Sequence, residues 1–403
     1  MEKWSKVKLG EIAFITSSKR IFAREYQKEG IPFYRGKEII EKHNGNSVST
    51  ELYISKKRYD EIKSKYGVPV PGDILLSSVG TLGVPWLVDE EKFYFKDGNL
   101  TWLRCNEKCI PKFLYLWFNS AEAKNQIEVM CIGSTQKALT IDALNKFNVS
   151  LPPLEVQKKI CNVIYSIMDK IRTNDEINRN LSEQMQAIFG SIFYSEMEKG
   201  NKASLGDYLY IKGRIGWKGL KKEEYLSESE YRIINGESLT VTGIDWNKAG
   251  YISEERYIES PEIMLQEGDI LISKDGTIGK IGYVNKLDKP TSVASGIFVV
   301  RNLKPEEVST VFIYCLLNSD YFKSFIASRT EGSVIPHLYQ KDFVTLEIPI
   351  LSQEQIVLFN STVVPLFELF FSNQTENIRL AALRDSLLPK LMSGELDVLD
   401  LDI

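Results

Sequence analysis

The sequence predicts an α+β protein: two mixed α/β globular domains related by a pseudo-twofold axis, joined by two long antiparallel helices that form a coiled coil. Three observations carry this expectation. The chain repeats itself at close to half its 403 residues. Each half contains short apolar runs punctuated by glycine, proline and asparagine, and each half ends in a long stretch whose apolar residues recur in steps of three and four.

The repeat is colinear. YISKKRY (53–59) returns as YISEERY (251–257), PGDILLSSVGTLG (71–83) as EGDILISKDGTIG (267–279), and FLYLWFNS (113–120) as FIYCLLNS (312–319). Gly133-Ser134 ahead of LPPLEVQ returns as Gly332-Ser333 ahead of IPILSQEQ, and Leu9-Gly10-Glu11 as Leu205-Gly206-Asp207. The intervals lie between 196 and 199 residues. Solenoid periods run to about 20–50 residues, so this is a duplicated domain pair. The boundaries read as globular 1–150, helical 151–200, globular 201–347 and helical 348–403.

In the globular parts, DILL, DILIS, GIFVV and FNVSL read as strands and PKFLYLWFNSAEAKNQI (111–127) as helix. After LPP (151–153) the texture changes. Ile160, Ile164, Ile167, Ile171, Asn174, Ile177, Leu181, Met185, Ile188 and Ile192 mark a seam with an asparagine in it. The second copy runs Ile356, Phe359, Val363, Leu366, Phe370, Asn373, Asn377, Leu380, Leu383, Leu387 and Leu391. Polar residues at such positions lower stability and fix register and partner number. Each helix of about 40 residues would span roughly 60 Å at 1.5 Å per residue. Pro365 is expected to kink or split the second helix. The alternative is two independent amphipathic helices, each on its own core.

Composition excludes several classes. Apolar content of 43% and charge of 26% are ordinary for a globular chain. No run of about 18 apolar residues or signal-like start is evident, so no membrane partner is expected. Five cysteines at irregular spacing suit reduced thiols in a cytoplasm. Cys105 and Cys109 are too few for a zinc site alongside only two histidines. The net charge of −4 hides an uneven distribution: residues 1–150 carry 23 Lys/Arg against 18 Asp/Glu, while residues 348–403 are strongly acidic. Non-specific DNA affinity depends on local cationic patches rather than on the total.

Catalytic patterns are missing. The sequence has no GxGxxG, Walker loop, HExxH or GxSxG. The glycines of SVGTLG and KDGTIG are wrongly spaced for a phosphate cradle and suit a strand-ending turn. Asp73 with Glu90 and Lys92 has the acid…Glu-x-Lys form of a magnesium nuclease, but the second copy keeps only Asp269.

The doubled GDILLSSVGTLG/GDILISKDGTIG, the helix entries LPPLEVQKKI and IPILSQEQIVLF, and the tail LRDSLLPKLMSGEL together resemble the specificity (S) subunit of type I restriction-modification systems over the whole chain. LPPLEVQ is one residue shorter than its counterpart, which would start the helices one position out of step. The resemblance implies two target-recognition domains (1–150 and 201–347), each reading one half of a split double-stranded DNA target. It implies two helical regions that hold two methyltransferase (M) subunits, with two restriction (R) subunits completing the complex. No catalytic site or cofactor is then expected in this chain; S-adenosylmethionine, ATP and magnesium belong to the partner subunits.

DNA contact requires cations, small hydroxyls and amides on loops. In the first domain these are Ser17, Ser18, Lys19 and Arg20, then Arg35 and Lys37, then Ser77, Ser78 and Thr81, and Thr135, Gln136 and Lys137 of GSTQK. In the second they are Lys212, Arg214, Trp217, Lys218, Lys221 and Lys222 of IKGRIGWKGLKK, then Lys274, Thr277 and Lys280, and His337. A non-catalytic adaptor whose two domains bind proteins is the alternative, and the acidic balance of residues 201–347 favours it. YIS--RY reads as scaffold, with Lys56-Lys57 and Glu254-Glu255 on a surface the fold does not need.

Overall fold

The computed structural model describes residues 4–130, 138–214, 219–330 and 337–398. The chain divides into two compact units, residues 1–172 with 377–403, and residues 173–376. The four linear segments read from the sequence are therefore not the packing units: each unit takes one globular region and part of both long helices.

Unit 1 is built on a four-stranded antiparallel sheet in the order Ala13–Thr16, Leu100–Cys105, Ile74–Ser77, Pro85–Leu87. Unit 2 has the same order in Leu209–Gly213, Ile297–Asn302, Ile270–Ser273 and Ile281–Tyr283. The central strands ILLS and ILIS are buried throughout. Side chains alternate across a strand, so each feeds two cores. Ile74 and Leu76 join Phe113, Trp117, Ile160 and Ile164 on one face, whereas Leu75 joins Trp86 and Trp102 on the other. In unit 2, Ile270 and Ile272 pack with Phe312, Phe189 and Phe359, and Leu271 with Ile234 and Val293. A smaller sheet in each unit contains a parallel pair, Ile31–Tyr34 with Tyr94–Phe95 and Tyr231–Ile234 with Thr291–Val293.

The seven-residue phrase that occurs twice is scaffold. Ser55 and Ser253 cap short helices by accepting from the Arg58 and Arg256 amides at 3.1 and 3.3 Å. Ile54 and Ile252 are fully buried. Arg58 pairs with Glu25 and Glu61, and Arg256 with Glu224 and Glu259, so each arginine ties its helix to an upstream turn. The variable pairs Lys56-Lys57 and Glu254-Glu255 are exposed.

The strand-ending turns after Ser77 and Ser273 are also built alike. Ser77 Oγ donates to the Thr81 carbonyl at 2.6 Å and accepts from the Val84 amide at 2.9 Å. Ser273 Oγ donates to the Thr277 carbonyl at 2.7 Å and accepts from the Lys280 amide at 2.8 Å. Gly83 and Gly279 close the turns at φ of +73° and +84°, and a Cβ at either would crowd Ile127 or Ile326.

The long helices run Leu154–Glu198 and Gln353–Ser393. Their starts are 199 residues apart, as are Asn174 and Asn373, so the expected one-residue offset does not occur. Within unit 2 they pair antiparallel. Asn174 Nδ2 donates to Glu376 at 2.7 Å, Asn178 Nδ2 to the Phe370 carbonyl at 3.0 Å, and Asn373 Nδ2 to Asn178 Oδ1 at 2.9 Å. Gln355 meets Glu196 further along.

Of the seam residues, Ile160, Ile164, Asn174, Leu181 and Asn373 are buried, whereas Ile167, Ile171, Ile188, Leu380 and Leu387 are half-buried. Ile177 is 39% exposed and Asn178 holds its place; Leu383 is exposed as well. Phe189, Phe193, Phe367 and Phe371, outside the three-and-four pattern, are buried. The cause is that each helix packs on globular core as well as on its partner, which widens the apolar stripe beyond a coiled-coil seam.

Pro365 does not split the second helix. Pro365 and Ser361, whose carbonyl loses its partner, are both exposed, so water can take the vacant bond. Among the described residues this helix is also long and apolar enough to cross a membrane by length and composition, a match the sequence reading did not register. Phe359, Val363, Phe367 and Phe371 of it lie in the unit 2 core.

Two outcomes follow. Phe193→Ala should lower stability by about 3–5 kcal/mol, while Ile177→Asp should stay within about 1 kcal/mol, measured by urea unfolding with circular dichroism. Ser77→Ala and Ser273→Ala should each cost about 1–3 kcal/mol and open the following turn to limited proteolysis, the cut sites being read by mass spectrometry.

Candidate nucleic-acid interface

Strand register gathers most of the predicted segments at one end of each sheet. In unit 1, Ala13–Thr16 and Ile74–Ser77 both pair antiparallel with Leu100–Cys105 and therefore point the same way. Thr16 lies opposite Trp102 and Ser77 opposite Leu100, so the Ser17–Arg20 segment and the Ser78–Gly83 turn leave from the same end. The Leu139 amide donates to the Ser78 carbonyl at 3.0 Å, and Val79 bridges Ala138. A Cβ on Gly36 would lie 3.9 Å from the Val79 carbonyl, which places the Arg35–Lys37 turn beside them.

The individual side chains differ in availability. Arg20 is 68% exposed and pairs with Asp97 at 2.7 Å. Ser17 and Ser18 are half-buried, and the Lys19 amide donates to Tyr94 Oη at 2.7 Å, while Lys19 Nζ stands 5.3 Å from the Tyr66 ring. Lys37 is exposed, 3.0 Å from Ser49 Oγ and 3.6 Å from Glu41. Arg35 is tied at 2.8 Å to Glu38, a fully buried carboxylate, and that bond holds the guanidinium pKa above its usual range. Thr81 is exposed at the turn. Thr135, Gln136 and Lys137 lie outside the described residues.

Two expectations are corrected here. Ser77 and Ser78 are buried; Ser77 clamps its turn, and Ser78 Oγ bonds Thr101 Oγ1 at 2.6 Å. Both serve the scaffold, because a hydroxyl at the last residues of a doubly buried strand faces protein, not solvent.

Unit 2 assembles the same end. Leu209–Gly213 and Ile270–Ser273 both pair antiparallel with Ile297–Asn302, so Arg214 and the Lys274–Lys280 turn follow the same end of the sheet. The Leu338 amide donates to the Lys274 carbonyl at 3.1 Å, as Leu139 does to Ser78. Lys221 and Lys222 are exposed, with the Lys221 amide capped by Glu224 at 2.7 Å. Thr277 is exposed, Lys274 Nζ lies 4.9 Å from the Phe298 ring, and Lys280 Nζ donates to the Gly236 carbonyl at 3.1 Å. Lys212 is half-buried beside Tyr210. His337 Nδ1 contacts the Asp275 carboxylate. Trp217 and Lys218 lie outside the described residues.

Arg214 is a further correction. It is 2% exposed, with Nε 3.3 Å from the Val293 carbonyl and Nη1 3.4 Å from Ser260 Oγ. Burial, and then the neighbouring Arg256 charge, pull its pKa down from the usual arginine value. A guanidinium so placed braces the strand end from inside.

The sequence reading missed one feature. Phe14, 60% exposed, stands opposite Arg104, whose guanidinium lies 4.6 Å from both the Phe14 and Trp102 rings. In unit 2 the same register opposes Tyr210 to Arg301, 5.5 Å from the ring. The period of two along Ala13-Phe14-Ile15, buried–exposed–buried, is the signal that points Phe14 outward.

The nuclease pattern dissolves. Asp73 is buried and accepts from the Val70 amide at 3.0 Å and Trp102 Nε1 at 2.8 Å, and burial raises its pKa. Asp269 is likewise occupied by Arg301 at 2.6 Å. Among the described residues no group of three or more His, Cys, Asp or Glu side chains is placed to hold a metal. Burial pushes the Cys161 thiol up to about 12, which makes it an inert core residue.

A putative type I restriction enzyme specificity subunit of Haemophilus influenzae is 33% identical over 169 residues, 41% of this chain and 40% of that protein. The MjaIX type I specificity subunit of Methanocaldococcus jannaschii is 26% identical over 310 residues, covering 72% of this chain and 70% of its own. The crystal structure of a type I restriction-modification S subunit from M. genitalium superposes with a TM-score of 0.61 at 19% identity, covering 97% of this chain and 96% of that one, a likeness of fold. The family described as the type I restriction modification DNA specificity domain matches twice, at residues 1–186 and 197–368. With both halves of the repeat matched, this chain belongs to the specificity-subunit family of type I restriction-modification systems.

Proposed function

We propose that this chain is the DNA-reading, non-catalytic subunit of a type I restriction-modification complex. Each globular region contacts one half of a bipartite double-stranded target through the loop end of its four-stranded sheet. The long helices set the spacer and dock two methyltransferase subunits, which use S-adenosylmethionine; two restriction subunits add ATP- and magnesium-dependent steps. The observation that carries this reading is the pairing of equal scaffolds with unequal tips. Ser77 and Ser273 clamp turns of the same geometry and both turns keep a threonine, Thr81 and Thr277, yet Val79 and Val84 of one unit stand where the other has Asp275 and Lys280. Base edges are told apart by side chains on such positions, while cations and amides take the phosphates.

The adaptor alternative draws on the acids of unit 2, but many of these are engaged. Glu224 and Glu259 hold Arg256, Asp269 holds Arg301, and Asp288 holds Arg232. Each of these acids is paired with an arginine, and Lys221 and Lys222 stand exposed in the same unit.

Two experiments test the proposal. Exchanging residues 201–347 for the corresponding region of a related subunit should change one half of the methylated motif and leave the other intact, as read by methylation mapping of a host genome. An active complex with both halves unchanged would contradict it. Lys221→Ala with Lys222→Ala should lower the slope of log affinity against log salt by about 0.9 for each phosphate that is no longer neutralised, measured by fluorescence anisotropy on the assembled complex.

A further inference from the structure

The turn after the central strand is anchored to two neighbours in both units. In unit 1 the Ser78 amide donates to the Asn99 carbonyl and the Ser78 carbonyl accepts from Leu139. In unit 2 the Lys274 amide donates to the Gly296 carbonyl and the Lys274 carbonyl accepts from Leu338. These bonds make Val79, Asn99 and Ala138 the structural equivalents of Asp275, Gly296 and His337. An apolar bridge, Val79 to Ala138, thus becomes an acid–imidazole pair at the same backbone position.

Asp275 does no visible structural work. The clamp of its turn runs from Ser273 to main-chain atoms of Thr277 and Lys280, and the Asp275 carboxylate takes no part. Its side chain is 46% exposed, His337 beside it is 29% exposed, and a Cβ on Gly296 would lie 3.6 Å from Asp275 Oδ2. The site is therefore an open carboxylate, backed by an imidazole and beside a residue without a side chain, flanked in sequence by Lys274 and, five residues on, Lys280. Imidazole Nδ1 against the carboxylate fixes the direction of Asp275, and among the described residues its outer lone pairs are free.

On a surface that approaches phosphates, a free carboxylate is repelled unless it is aimed at a base. Ionised Asp is acceptor-only, and in the major groove the exocyclic amino groups of cytosine and adenine are the donors it can meet. We infer that Asp275, positioned by His337, reads an exocyclic amino group, cytosine N4 or adenine N6, in the half-site contacted by unit 2. This rests on the DNA-reading proposal above.

The test is methylation mapping with the chain co-expressed with its methyltransferase subunits. Asp275→Asn replaces an acceptor with a mixed donor and acceptor at constant shape. It should relax or change one base position of one half-site, with methylation of the original motif falling about 10-fold or more, and leave the other half-site untouched. His337→Gln, which keeps a donor, should show a weaker change at the same position. If the Asn variant does not assemble, the wild-type complex carries the test, on target duplexes in which single cytosines or adenines are replaced by 2-pyrimidinone or purine, which lack the amino group. Sensitivity at one position of the half-site assigned to unit 2 by the exchange experiment supports the inference. Unchanged motif and rate in D275N, a uniform loss across all sites, or insensitivity to every amino deletion overturns it. A wild-type methylome with no split motif would instead remove the DNA-reading proposal itself.

Discussion

Burial of both faces of a single central strand governs the rest of each unit. ILLS and ILIS place apolar side chains on alternate sides, and each side demands its own covering. One face is covered by helices, including the long ones; the other by the smaller sheet, through aromatics in unit 1 and aliphatic side chains in unit 2. A one-residue slip would exchange the two cores, and Leu75 or Leu271 would meet partners shaped for isoleucine. The end of that strand is therefore held firmly, and whatever leaves it is aimed by the core rather than by its own sequence.

Function is grafted onto that rigidity with few free groups. Of the cations picked from loops, Arg214 is consumed inside the fold and Arg35 is tied to a buried glutamate. Arg20, Lys37, Lys221 and Lys222 remain outside. An aromatic–arginine pair lies on each sheet, exposed at Phe14 with Arg104 and half-buried at Tyr210 with Arg301. The long helices couple to the same cores through Ile160, Ile164, Phe189 and Phe193, so helices and sheets share side chains.

Much of this was legible in the residues, because duplication supplies an internal control. The repeat located the clamped turns, the scaffold phrase YIS--RY and the matching asparagines. What escaped was decided by three-dimensional packing. Ser77, Ser78 and Arg214 look like loop residues by type, yet they lie on strand ends that the core encloses. Ile177 fits a seam by spacing, but a helix covering two surfaces at once turned Asn178 inward instead. Pro365 reads as a breaker only if its vacant carbonyl is buried, and it is not. The pairing of Asp275 with His337 joins residues 62 positions apart, beyond any local pattern.

The serine clamp bears on how such a chain changes through generations. Its acceptors and donors around the turn are main-chain atoms, the Thr81 and Thr277 carbonyls and the Val84 and Lys280 amides. The clamp is thus blind to the side chains carried at positions 79, 81, 275 and 277. Substitutions there should fall within about 0.5 kcal/mol of neutral for folding, so drift at the tips proceeds without compensating changes elsewhere. A lineage can exchange these turn residues in single steps, each intermediate being a stable protein.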